Sequence, residues 1–290
     1  MHHDKTIGNR IFDIVNALLL IIIAFVCVMP FLYVLAVSFT SPAEVAKGGL
    51  ILWPKEWSLA SYRYIFSTDT LFRSMLVSIY ITVVGTIINL FFTSLMAYPL
   101  AKTRLRGRQV VLLGVLFTML FGGGMIPTYF VVKGLHLTNS LWSLMIPGAI
   151  SAFNLIVLKN FFQQIPDGLE DSGRIDGCTD VGVLFRIVLP LSLPAMATFG
   201  LFYAVGHWNQ FFNAILYIND SHLYPIQVLL RQIVILSQSS IGDTSIDNTE
   251  IQPLTIRMAV IVFATIPILL VYPFLQKHFA KGVMLGSVKG

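Results

Sequence analysis

Charge is what this chain has least of: 11% of its 290 residues are Asp, Glu, Lys or Arg, against about 25% in ordinary soluble domains. It has two cysteines. Cys27 lies in an apolar run and Cys178 in a charged loop, with no CxxC or metal-ligand spacing. No disulfide framework or zinc site is therefore expected. There is no GxxxxGK[ST], so the chain brings no phosphate loop for ATP. Gly122-Gly123-Gly124 lacks the Lys and Ser/Thr of such a loop. Inside an apolar run it reads as close helix packing or a local break. No HExxH, Ser-His-Asp set or facing carboxylate pair appears, so no catalytic residue, metal or cofactor is expected within this chain. None of the long apolar runs carries Asp or Glu. A carrier driven by protons or sodium would lack its usual intramembrane carboxylate.

What is present is apolar: 56% of the residues are hydrophobic. Six stretches approach the roughly 20 residues needed to cross a bilayer: Ile14–Phe39, Ser74–Ala101, Val110–Val132, Leu141–Leu158, Leu189–Tyr217 and Met258–Gln276. Helices are expected, because open strands leave backbone groups unpaired in lipid. The fold class is thus an all-α polytopic membrane protein with six spans, a single transmembrane domain over residues 1–290. The formal net charge of +5 does not point to nucleic acid. Twelve of the 19 basic residues fall on one side of the six spans: Lys5, Arg10, Lys102, Arg104, Arg106, Arg108, Lys159, Arg174, Arg186, Lys277, Lys281 and Lys289. The positive-inside rule makes that side cytoplasmic, and with it both termini and the tail 277–290. His2 and His3 decide nothing.

Two outer connections are then expected. Residues 40–73 carry Trp53, Trp57, Tyr62 and Tyr64, which read as an interfacial aromatic belt. Residues 218–257 carry Asp220, Asp243, Asp247, Asn248 and Glu250, and so long a polar loop suits a partner. Polar side chains also sit inside spans: Asn89, Thr93, Ser94, Asn154, His207, Asn209, Gln210 and Asn213, with Tyr203 and Trp208 beside them. Two readings stay open. They pair between helices, or some of them, Asn154, Tyr203, Trp208, Asn209 and Asn213, line a path for a hydroxyl-rich solute. For His207 alone, packing is the expected role.

The most informative stretch is the inner loop at about 164–189, LEDSGRIDGCTDVGVLFRIVLPLSLP with its flanks. Asp167 and Glu170 have capping-box spacing, so a helix is expected after Pro166. Gly177 is its expected stop. Thr179 or Asp180 caps a second helix that puts Val181, Leu184, Phe185 and Val188 on one face. Pro190 and Pro194 end it.

This stretch resembles the "EAA" cytoplasmic loop of ABC importer permeases, through Glu170, Asp176-Gly177, Leu189-Pro190 and Pro194. Asp171 and Ser172 stand where that family usually has alanines. The six spans, Gly200-Leu201-Phe202-Tyr203 and His207-Trp208-Asn209 are similar to carbohydrate permeases related to the smaller maltose permease subunit. Gly124–Tyr129 and Ile187–Pro194 resemble a branch that handles alginate or aldouronate oligosaccharides. Gly286–Gly290 resembles a tail that reaches between ATPase subunits.

The resemblance implies an alternating-access subunit in a bacterial inner membrane, with a second homologous permease, a pair of cytoplasmic ATPase subunits holding ATP and Mg, and an extracytoplasmic solute-binding protein. It implies ATPase coupling through Glu170, Asp171, Arg174, Asp176, Gly177, Val181, Leu184 and Phe185. Neither the sugar nor the permease holding most solute contacts is settled by sequence. An ABC permease for another solute, or a stand-alone carrier, is the alternative.

Overall fold

The computed structural model describes residues 7–67, 69–239 and 253–287. Asp243, Asp247, Asn248, Glu250, His2, His3, Lys5 and the last three residues of the tail lie outside that set. Among the described residues the chain is helical, apart from an isolated antiparallel bridge between Thr40 and Trp57.

The first four helices are α1 (Ile7–Ser38), α2 (Pro42–Ala46), α3 (Ala60–Ser67) and α4 (Asp69–Ala101). Next come α5 (Arg108–Leu120), α6 (Met125–Gly134), α7 (Trp142–Met145) and α8 (Ala152–Phe162). The inner loop gives α9 (Asp167–Ile175), α10 (Asp180–Val183), a π-turn at Leu184–Val188 and α11 (Leu189–Leu191). The chain continues through α12 (Leu193–Trp208), α13 (Phe212–Tyr217), α14 (Ile226–Ser239) and α15 (Pro253–Ser287).

Three helical stretches are long and apolar enough to span by themselves: Asn9–Ser38, Asp69–Ala101 and Leu254–Val271. Two further expected spans are bent. Arg108–Leu120 meets Met125–Gly134 at 118°, and Asp180–Leu191 meets Leu193–Trp208 at 86°. The first bend falls on the glycine triplet, where Gly124 adopts φ +83°, a conformation that costs a residue without Cβ little. Of the two readings of that triplet, the local break is the one seen. The run Leu141–Leu158 is interrupted over 146–151, around Pro147, so α8 keeps only 11 residues. Helix α4 starts five residues before its apolar run. At 33 residues it is about 50 Å long, against a hydrocarbon core of about 30 Å, so both ends reach polar surroundings.

Two compact units are formed, Met1–Asp69 with Leu230–Ile266 and Thr70–Leu229 with Pro267–Gly290. In the first, Tyr62 shares a 2.9 Å hydrogen bond with Ser38 and Trp53 meets Trp57 edge-on. Trp53 and Trp57 are exposed, as an interfacial belt requires, whereas Tyr62 turns inward. In the second, two apolar clusters lie at opposite ends of α4. One gathers Ala97, Tyr98 and Leu100 with Leu155, Leu158 and Phe162 of α8, Val183, Leu184 and Val188, and Phe199 and Tyr203 of α12. The other gathers Ile81 with Val132, Leu144, Met145, Ala214, Tyr217 and Val228.

Between them, the α4 backbone at Gly85 is pressed by the His207 imidazole. A Cβ there would lie 2.6 Å from Nε2 and 2.7 Å from Cε1, closer than atoms can pack. This supports the packing role expected for His207. Gly85→Ala should therefore lower the melting temperature of the purified complex by several degrees, the effect of about 1–3 kcal/mol of overpacking. His207→Ala in the same molecule should return most of that loss. Additive losses in the double variant would reject the steric account.

Candidate functional site

The inner loop folds as an elbow, and its first surprise is where α9 begins. Pro166 is the N-cap residue and makes no side-chain cap bond. Asp167 is thus the first helical residue and Glu170 the fourth, one place beyond capping-box register. The expected reciprocal cap does not form. Glu170 instead turns inward and is 1% exposed.

A buried carboxylate needs a partner, and this one has three. Lys102, just past the end of α4, is paired with Oε1. Tyr98 donates to Oε2 at 3.2 Å, and Arg174 Nη2 lies 3.5 Å from the same oxygen. The Lys102 ammonium also sits 5.3 Å from the centre of the Tyr98 ring. Nearby, Gln163 Nε2 donates to the Ala101 carbonyl at 3.1 Å and Arg108 Nε to the Leu100 carbonyl at 2.8 Å. These are acceptors that the end of a helix leaves without intrahelical donors. The elbow is therefore tied to the inner end of α4 by charge and by hydrogen bonds.

The two helices of the elbow are braced against each other. Arg174 donates to Asp171 at 2.8 Å and, across the corner, to Asp180 at 3.2 Å. Burial lowers its basicity, but the bonds to Asp180 and Asp171 outweigh this and the pKa is raised. The corner is a full Schellman turn. Gly177 has φ +85°, its N–H bonds the Arg174 carbonyl at 3.0 Å, and the Cys178 N–H bonds the Gly173 carbonyl at 2.9 Å. Thr179 is the second cap, accepting from the Gly182 N–H at 3.2 Å. Asp176 is exposed at the end of α9.

Gly173, which sequence reasoning passed over, is buried beside Glu170. A Cβ on it would lie 2.4 Å from Ile187 Cδ1. A small residue one turn past an inward-facing Glu was the available signal. The helix then widens into a π-turn, with the Leu189 N–H bonded to the Leu184 carbonyl. It lies just before Pro190, which has no N–H to continue an α-helical ladder.

The expected apolar stripe divides in two. Leu184 and Val188, with Val183, are buried in the inner cluster. Each contributes roughly 1.5–3 kcal/mol by leaving water. Val181 is 60% exposed and Phe185 44% exposed, and Ile175 on the other helix is 86% exposed. The π-turn at Leu184–Val188 shifts Phe185 off ideal α spacing, whereas Val181 lies before it on α10.

The five candidate path residues do not form one surface. Tyr203 is committed to packing: its hydroxyl shares a 2.8 Å hydrogen bond with Thr93 and accepts from the Ser151 N–H at 3.2 Å. Asn154 is buried on α8 and Asn213 exposed on α13. Trp208 and Asn209 border a cavity of about 300 Å³ with Thr82, Val83, Leu201 and Pro267. Thr82 Oγ1 and Trp208 Nε1 on its lining, and Thr86 Oγ1 and Asn89 Oδ1 farther along α4, are buried without a hydrogen-bond partner among the described residues. Thr82, Thr86, Asn89 and Thr93 recur at helical spacing, so a polar seam runs along α4. That spacing was readable in sequence; which helix it faced was not.

Lys102→Met should leave Glu170 with only Tyr98 and the longer Arg174 contact and destabilise the purified complex by about 1–3 kcal/mol. Adding Glu170→Leu should recover most of this. Thermal melts of the two variants decide it, and equal melting of Lys102→Met and wild type would count against the clamp.

With this geometry in view, comparison with known proteins is direct. The family described as "Binding-protein-dependent transport system inner membrane component" matches residues 5–285. The polygalacturonan/rhamnogalacturonan transport system permease protein YtcP of Bacillus subtilis (strain 168) is 58% identical, over 97% of this chain and 99% of its own. Protein LplC of the same organism is 56% identical over 100% and 98%. A crystal structure of a bacterial ABC transporter that imports the acidic polysaccharide alginate contains a chain that matches with TM-score 0.88 and 32% identity, over 96% of this chain and 100% of that one. The chain belongs to the family of binding-protein-dependent transport system inner-membrane components and has the fold of an ABC importer permease.

Proposed function

We propose that this chain is the membrane subunit of a bacterial ATP-driven importer that moves an acidic oligosaccharide by alternating access. The observation that carries the reading is the two-sided elbow. Ile175 and Val181 project from it exposed, and Phe185 is half-exposed with one side against the Phe91 ring of α4, while Val183, Leu184 and Val188 on the same piece are packed into the core of the spans. A motor that grips the outer side of such a piece moves the helices on the inner side. The chain itself supplies no fuel. ATP and Mg bind to a pair of cytoplasmic ATPase subunits, a second homologous permease completes the pathway, and an extracytoplasmic binding protein delivers solute. The chain is a multi-pass, non-catalytic subunit of the bacterial inner membrane with both termini cytoplasmic.

In this reading Gly177 permits the corner, Arg174 keeps α9 and α10 moving as one, and Glu170 transmits the motion to α4. Closing of the ATPases pushes the elbow, α12 follows across the 86° bend, and the cavity opens outward; release reverses it. The seam beside Trp208 and Asn209 presents hydroxyl, amide, imidazole and indole groups, which suit sugar hydroxyls. The acidic character of the solute rests on what YtcP and the alginate importer are described as carrying.

Gly177→Asp and Phe185→Ala should each leave the complex assembled and the basal ATPase rate within about twofold, while uptake falls several-fold. Strain at a positive φ and loss of a docking side chain are the respective causes. Full uptake in both variants would remove the elbow from the mechanism. In proteoliposomes, ATPase stimulation by the binding protein should appear with oligogalacturonate or alginate oligomers and not with neutral maltooligosaccharides. The reverse ranking would overturn the choice of solute.

A further inference from the structure

A cavity of about 860 Å³ at the elbow is lined by Lys102, Arg104, Arg106 and Arg174 on its polar side and by Leu95, Pro99, Leu105, Val181 and Leu184 on its apolar side. Asp180 is the only carboxylate in the lining, and Arg174 already holds it. Lys102 is paired with Glu170. That leaves Arg104 and Arg106, exposed and with no ion pair or hydrogen bond among the described residues. Topology asks only for cations somewhere in an inner loop. It does not ask that two uncommitted guanidinium groups share a cavity with an apolar wall.

We propose that this cavity is a binding site for an anionic phospholipid of the inner leaflet, with its phosphate between Arg104 and Arg106 and its acyl chains along Leu95, Pro99 and Leu105. Three observations favour a lipid over a soluble anion. The cavity is many times the volume of a phosphate. One wall is apolar, which an inorganic anion cannot use. It also adjoins the C-terminal end of the apolar helix α4, at Leu95, Pro99 and Lys102, and basic pockets at the ends of spans are suited to anionic headgroups. Arginine suits the task, since its planar fork matches two phosphate oxygens at once. A lipid seated here touches both the end of α4 and the α10 side of the elbow, so it would stiffen the joint that the clamp at Glu170 secures from the other side. The assignment of the leaflet rests on the orientation proposed above; the binding itself does not.

The test uses the assembled transporter in nanodiscs of phosphatidylcholine with a minor fraction of photoreactive phosphatidylglycerol. Crosslinks in the wild type should map to peptides covering residues 95–106 and 178–184. Crosslinks spread evenly over the spans would overturn the proposal. Arg104→Gln with Arg106→Gln should reduce labelling there roughly thirtyfold, from about 1 kcal/mol for each of the two lost cations. Unchanged labelling in that variant would also overturn it. Competition separates the sources of the anion: short-chain phosphatidylglycerol should displace the label, and millimolar inorganic phosphate should not. Equal displacement by phosphate would make this a soluble-anion site and reject the lipid. None of these readouts needs uptake, so failure of the transport reading and failure of the lipid site give different results.

Discussion

One buried carboxylate ties the elbow of this protein to the C-terminal end of α4. Glu170 lies at the junction of α4, α9 and the corner of the elbow, with Lys102, Tyr98 and Arg174 around it. A charge out of water is tolerated only where its partners are fixed. Each partner here belongs to a segment that must keep its place: Tyr98 to the last turns of α4, Lys102 to the turn after it, Arg174 to the brace between α9 and α10. The interaction is therefore more than adhesion. It sets the register between a loop and a span 68 residues apart in sequence, which apolar packing alone, being non-directional, would leave free to slip.

The rest of the elbow follows from keeping that junction stiff. The Schellman turn at Gly177 uses the carbonyls that α9 would otherwise leave open. Thr179 closes the start of α10, and Arg174 ties one side of the corner to the other. Gly173 lets Ile187 approach to a distance no other residue would allow. A soft corner would absorb a push; this one has its backbone groups paired and its apolar side embedded in the same cluster as α8 and α12. The π-turn and the 86° bend at Ser192 then redirect the chain from the membrane surface into α12.

Much of this was legible in the residues, and what was not has physical reasons. The stop at Gly177, the cap at Thr179 and the end of the helix near Pro190 are local events, set by neighbours within a few positions, and the sequence displays them. The capping box at Asp167 and Glu170 was misread because two acidic residues three apart fit two registers, and the difference was whether Pro166 or Asp167 stood at the cap. The Glu170–Lys102 pair and the meeting of Tyr203 with Thr93 join residues 68 and 110 positions apart, and no periodicity encodes such distances. The apolar runs announced spans but not their bends. Leu141–Leu158 looked continuous because apolar content survives a Pro-Gly interruption even though the helix does not. Val181 and Phe185 stood in a helical stripe with Leu184 and Val188, yet the apolar cluster takes in only the latter two.

The notch at Gly85 has a consequence for biogenesis. Gly85 is made 122 residues before His207, which at about 5–20 residues per second is roughly 6–24 s. For that time the notch, with Thr82, Thr86 and Asn89 flanking it, faces the translocon or lipid with no imidazole to fill it. A newborn α4 is therefore a client for whatever shields polar helices during insertion, and its release is timed by the arrival of α12.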